Sequence, residues 1–158
     1  MDSRHSWTHT RTMILNRTAL YALRAMATLS RLAPGASMRA PELAQATETP
    51  IHYVSKVMRR LVVSKLVRGQ RGHGGGFQLA RPPASICLSD VLAAVGTSEA
   101  PDACAFGWEA CDPQNPCPLH PAWSRLKDAY TKWSEEITLA DLPEPDRQAR
   151  APRRRSAR

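Results

Sequence analysis

From Leu15 onward, the apolar residues Leu15, Ala19, Ala22, Met26, Leu29 and Ala33 recur at steps of three and four, which places them on one face of a helix. Pro34-Gly35 is expected to stop that helix. A second, shorter helix is predicted from Pro41, because proline at the first helical position removes no hydrogen bond. It turns Leu43 and Ala44 inward and ends near Thr47. Thr49-Pro50 then reads as an N-cap followed by proline, opening a third helix with Ile51, Val54, Met58 and Leu61 as its buried stripe. Residues 66–71 and 77–81 have the length and composition of two short strands joined by the loop 72–76 (GHGGG), and Pro82-Pro83 closes the unit. A short helix is expected over 89–95, ended by Gly96. Trp123, Leu126, Tyr130, Trp133 and Ile137 then form the seam of a longer helix.

The polar face of the third helix is as informative as its apolar one. His52, Tyr53, Lys56, Arg59 and Arg60 lie away from the stripe with no acidic residue among them. Two helices joined by a tight turn, the second cationic outside, match the arrangement that lays a helix in the major groove of DNA. The following hairpin reads as a wing. Its glycine-rich loop, Arg71-Gly72-His73-Gly74, is nearly bare of side chains, so its backbone can approach a phosphate or enter the minor groove. The same loop is a poor nucleotide cradle, since no Gly-Lys-Ser/Thr follows it. The expected fold class is therefore mainly α with a small β wing: a winged helix-turn-helix followed by a long C-terminal helix. Three large aromatics along one edge of that helix have little of this small chain left to cover them, which favours a homodimer.

Charge sharpens the picture. The net charge of +8 divides into +1 over residues 1–12, +3 over 13–38, +6 over 39–81, −6 over 82–142 and +4 over 143–158, a basic reading unit beside an acidic block. Clustered Lys and Arg bind duplex DNA by releasing its condensed counterions. We divide the chain into an N-terminal extension (1–12) expected to be disordered, with Met13 a plausible alternative start, a DNA-binding unit (13–83), a cysteine-loop and dimerisation region (84–142) and a basic tail (143–158) expected to be disordered. No run approaches the roughly 18 apolar residues of a membrane span, and residues 1–12 contain no secretory apolar stretch, so a cytoplasmic location without membrane attachment is expected.

All four cysteines follow the basic block. Cys104, Cys111, Cys117 and His120 form C-x6-C-x5-C-x2-H, with Gly107, Pro113 and Pro116 between them favouring an irregular loop in which the ligands can converge. Three thiolates and an imidazole suit a 2Fe-2S or 4Fe-4S cluster, or tetrahedral zinc, and the spacing does not choose among them. In a reducing compartment a disulfide is the lesser alternative. Cys87, between Ile86 and Leu88, reads as a small buried hydrophobe held in reserve as a ligand. No Cys-x-x-Cys pair, nucleophile-base set or cofactor fingerprint is present, so an enzyme is not expected.

Residues 13–24 (MILNRTALYALR), 41–44 (PELA), 71–81 (RGHGGGFQLAR), 117–120 (CPLH) and 138–142 (TLADL) together resemble the Rrf-two family of IscR- and NsrR-like bacterial transcriptional regulators. The resemblance spans about residues 13–142. It implies a winged-helix homodimer held by the long helix, a roughly palindromic double-stranded DNA operator, and an iron-sulfur cluster whose state alters DNA affinity. It also implies that Cys104, Cys111 and Cys117 are cluster cysteines with His120 as the fourth ligand. Other members take a carboxylate from the first helix, where this chain has Leu20, and that difference favours His120 and a 2Fe-2S cluster. Two departures stand out: six residues separate the first two cysteines where five are common, and Lys65 stands where a helix-ending glycine is usual. The expected function is iron-sulfur-dependent regulation, as a repressor, in response to redox, nitric oxide or iron-sulfur status. The alternative is a zinc-stabilised or cluster-free DNA-binding protein that senses nothing.

Overall fold

The Asn16 side chain accepts a hydrogen bond from the Ala19 N–H at 2.9 Å, satisfying one free donor at the start of helix α1 (Arg17–Leu29). The computed structural model describes residues 15–70, 72, 75–96 and 114–142. The element order is α1, α2 (Ala40–Thr47), α3 (Ile51–Val63), strands β1 (Val67–Gln70) and β2 (Gly76–Leu79), α4 (Leu88–Ala94) and α5 (His120–Glu136), with short 3-10 turns at Pro83–Ser85 and Leu139–Asp141.

α1 ends a turn before Pro34. Ser30 takes the C-cap and the chain tightens through Arg31 and Leu32, whose amides bond to Thr28 and Leu29. α2 carries Pro41 in its first turn as expected, and the Arg39 N–H is capped by Glu42 at 3.0 Å. α3 begins one residue later than predicted. Pro50 is its N-cap, and the buried Thr49 hydroxyl donates to the Thr47 carbonyl at 3.2 Å instead of capping α3. The buried stripe of α3 is Val54, Val57, Met58 and Leu61. Ile51, expected inside, is 46% exposed, and Val57, which the sequence reading did not select, is buried in the stripe.

Both helix ends around the reading unit close without glycine. At the end of α3, the Leu66 N–H bonds to the Leu61 carbonyl and the Lys65 N–H to the Val62 carbonyl, a Schellman closure that puts Lys65 at φ 58°. Glu48, at φ 51°, closes α2 in the same way through Thr49-to-Ala44 and Glu48-to-Gln45 bonds.

β1 and β2 pair antiparallel with Val67 opposite Leu79 and Gln70 opposite Gly76, shorter at both outer ends than the sequence suggested. Met38 adds a separate antiparallel bridge to Phe77, on the other edge of β2, with reciprocal amide-carbonyl bonds of 3.0 and 2.9 Å. Gly76 makes that approach possible, since a β-carbon there would lie 2.8 Å from the Met38 carbonyl.

One core serves the described residues. Met26, Leu43, Met58 and Leu61 pack with Ile86, Leu88 and Val91, and Leu139 closes the cluster. Leu139 returns from the end of α5 through a bridge between Cys87 and Thr138, flanked by Leu88-to-Ile137 and Leu139-to-Ile86 amide bonds. Ile137 accordingly leaves the α5 seam: it is extended and packs against this core. Cys87 is half-buried at the N-cap of α4 and not fully inside. The core therefore runs across the boundary drawn at residue 83.

Candidate functional site

α3 presents its polar face outward as its periodicity requires. His52, Tyr53, Lys56 and Arg59 are exposed while Val54, Val57, Met58 and Leu61 anchor the opposite side. Tyr53 is not an isolated side chain. Its ring lies 5.4 Å from Tyr21 of α1 and 4.5 Å from His52, so an aromatic group from two helices stiffens the start of α3. Tyr21 was absent from the sequence-derived set because its partner lies on another helix.

Arg60 behaves differently from its neighbours. Its Nη1 donates to the Val95 carbonyl at the C-terminus of α4, at 2.6 Å. A guanidinium at a helix C-terminus satisfies a free carbonyl and complements the helix dipole. The Arg60 guanidinium thus ties α3 to α4, a use the sequence reading had not assigned it. Arg81, two residues after β2, pairs with Asp90 in the first turn of α4 at 3.2 Å. Arg68 on β1 remains exposed, as does Gly72 in the loop at φ 95°. Arg71, His73 and Gly74 lie outside the described residues.

Between the outer face of α3 and the wing runs an open groove. Arg39, Ser55 and Arg59 lie along it, with Val62, Val63 and Phe77 exposing carbon to it. A second open groove, on the other side of α3, is lined by Lys56, Arg59, Arg60 and the end of α4. Arg39 pairs with Glu42, and this hydrogen-bonded contact holds the Glu42 carboxyl below its ordinary range.

The cysteine-histidine site is described in part. Cys117 is half-buried, and the His120 N–H donates to the Cys117 carbonyl at 2.9 Å, forming the turn that enters α5. Pro121 follows in the first turn of α5, where its missing N–H costs nothing. His120 Nδ1 is closed off from solvent and has no hydrogen-bond partner among the described residues. Leaving such a group unsatisfied costs on the order of 1–3 kcal/mol, so an imidazole nitrogen in this state, three residues after a cysteine, has the chemistry of a metal ligand, although no three such donors come together among the described residues. Cys104 and Cys111 lie outside the described residues, as do residues 1–12 and 143–158. Among the described residues, no helix is long and apolar enough to cross a membrane.

The comparisons agree with this architecture. The Rrf2 family, described as iron-dependent transcriptional regulators, matches residues 15–145. A Mycobacterium tuberculosis protein named as an HTH-type transcriptional regulator is 32% identical over 133 residues, covering 82% of this chain and 81% of the relative. The HTH-type transcriptional regulator IscR of Escherichia coli is 28% identical over 130 residues, covering 82% of this chain and 80% of its own length. Among solved structures, CymR, the global cysteine regulator of B. subtilis, superposes with a TM-score of 0.67 at 24% identity, covering 81% of this chain and 94% of that one. T. potens IscR gives 0.66 at 20% identity, covering 89% and 93%. These two show the fold. The family match and the regulator relatives place the chain among DNA-binding regulators and not enzymes: it belongs to the Rrf2 family of transcriptional regulators.

Proposed function

We propose that this protein is a homodimeric, iron-sulfur-dependent repressor whose affinity for a double-stranded operator follows the state of a cluster held by Cys104, Cys111, Cys117 and His120. The observation that carries the reading is the buried His120 Nδ1, without a hydrogen-bond partner among the described residues, three residues after a half-buried thiol. The family's description as iron-dependent and an IscR relative support it. An iron-sulfur cluster, when bound, supplies metal-sulfur bonds that oxidants and nitric oxide can attack. A 2Fe-2S form suits a site in which Leu20 offers no carboxylate from α1.

The chain's own residues supply the rest. Cys117 and His120 fix the start of α5, and Thr138 and Leu139 fix its end to the core that also holds α3. Ordering residues 104–120 therefore sets the direction of α5. In a homodimer joined along α5 it also sets the separation of the two α3 helices, which must match about 34–36 Å between successive half-sites. Leu119, Leu126 and Trp133 are exposed along α5, and an apolar edge of this size suits a second copy. His52, Tyr53, Lys56 and Arg59 face the major groove, while Arg71, Gly72, His73 and Gly74 approach the minor groove. Arg60, with one donor already given to Val95, is at most a secondary contact.

Anaerobic purification with iron and sulfide tests the reading. The protein should be brown, and His120→Ala and the Cys104, Cys111 and Cys117 to Ser variants should lose colour and show the operator affinity of iron-free wild type. A colourless, zinc-loaded wild type whose DNA binding is indifferent to those substitutions would support the zinc-stabilised alternative instead.

A further inference from the structure

The groove between α3 and the wing has a lining unlike either element's reading face. It is lined by two arginines, Arg39 before α2 and Arg59 on α3, together with the apolar side chains of Val62, Val63 and Phe77. Val63 is 75% exposed, which no fold requirement explains, and the Arg39 side chain is 71% exposed. Gly76 lets the wing pack against the Met38 backbone, and the Met38–Phe77 bonds hold Phe77 in the lining of the groove.

In duplex DNA, the major groove and its neighbouring minor groove are separated by one sugar-phosphate strand. If α3 occupies the first and the wing the second, that strand has to pass between them. A strand's outer edge is anionic and the flanks of its deoxyriboses are largely carbon, which complements a groove lined by both guanidiniums and apolar side chains. We infer that the α3-wing groove is a slot for a single sugar-phosphate strand of the operator, with Arg39 and Arg59 at its phosphates and Val62, Val63 and Phe77 against its sugars. This deepens the proposed function and rests on its placement of α3 and the wing.

The slot explains two residues that the polar-face pattern of α3 does not select. Arg39 lies before α2 in sequence but joins Arg59 across the groove, so it is a phosphate-positioning residue. Val63 is an exposed apolar residue whose partner is DNA and not protein. Glu42 competes for Arg39, and the glutamine amide can still accept the Arg39 N–H while releasing its guanidinium. Glu42→Gln should therefore tighten DNA binding severalfold.

The test measures binding by wild type and the Arg39→Ala, Val63→Glu, Glu42→Gln and Lys56→Ala variants across a salt series. The probes are a duplex selected from a random library and an unrelated duplex, with hydroxyl-radical footprinting of the selected site. Thermal unfolding confirms that each variant is folded, which the exposure of Arg39 and Val63 makes the expected result. Arg39→Ala should make the salt dependence shallower by about one unit on both duplexes, the mark of a lost phosphate contact. Val63→Glu should weaken both by at least tenfold and remove sugar protection on the strand beside the wing. If Arg39→Ala and Val63→Glu bind and footprint as wild type while Lys56→Ala binds more weakly, α3 reads DNA and the slot is wrong. If Lys56→Ala is also unchanged, the assignment of the α3 face falls and the slot with it.

Discussion

Lys65 shows how much one backbone angle can cost. A residue with a β-carbon at φ 58° pays on the order of 1 kcal/mol, and here the Schellman bonds to Leu61 and Val62 hold it there. Lys65→Gly should raise the stability of the folded chain by up to about 1 kcal/mol, read as a higher denaturation midpoint at unchanged slope. Gly76 is the opposite case. Gly76→Ala places a β-carbon against the Met38 carbonyl, and it should loosen the Met38-Phe77 bridge and speed amide exchange at Phe77. Asp141 ties charge to the α5 exit. The Thr138 hydroxyl donates to its carboxylate at 2.6 Å and the Thr138 N–H at 2.9 Å, which holds that carboxyl below its ordinary range. A group whose folded pKa is depressed adds stability above the unfolded value of about 3.9 and loses it as pH falls through the folded value. Asp141→Asn should accordingly lower the melting temperature at pH 7, and the gap from wild type should close in acid.

At the scale of elements, α3 and α5 each pack one face inward, and the proposed function assigns DNA and a second copy to their outer faces. For α3 the inner face is Val54, Val57, Met58 and Leu61, and Arg60 adds a tie to the end of α4. Arg60→Ala should change the salt dependence of DNA binding less than Lys56→Ala does. It should also destabilise the fold by about 1.5–3 kcal/mol, since a charged hydrogen bond is lost. α5 has Ser134 as its buried residue, while Leu126 is 49% and Trp133 38% exposed. Wild type should sediment as the proposed dimer in analytical ultracentrifugation, and Leu126→Glu with Trp133→Glu should convert it to monomers while leaving helical content intact. A dimer that survives both changes would show that the subunits meet elsewhere.

At the scale of the molecule, the segment after α5 binds the two halves of the chain together. Leu139 is 2% exposed in a core shared with α1, α2, α3 and α4, so Leu139→Ala should cost about 2–5 kcal/mol. The described residues should still unfold in one transition, since no second core separates α4 from α3. The sequence division at residue 83 followed a change in composition, and composition does not record that Ile86, Val91 and Leu139 pack against Met26 and Met58.

The chain's linear pattern by itself determined its helices, its hairpin and its cationic outer face, because apolar spacing, proline and glycine act within a few residues of where they stand. It also shows which thiols and imidazole stand close enough in sequence to be candidate ligands of one metal site. Only the tertiary structure decided that Ile51 is outside and Val57 inside, that Arg60 holds α4, that Tyr21 braces Tyr53, and that Arg39 and Val63 share a groove with the wing. Those outcomes depend on which distant residue fills the adjoining space. A face can be read from periodicity, but what covers that face is set by contacts between segments tens of residues apart.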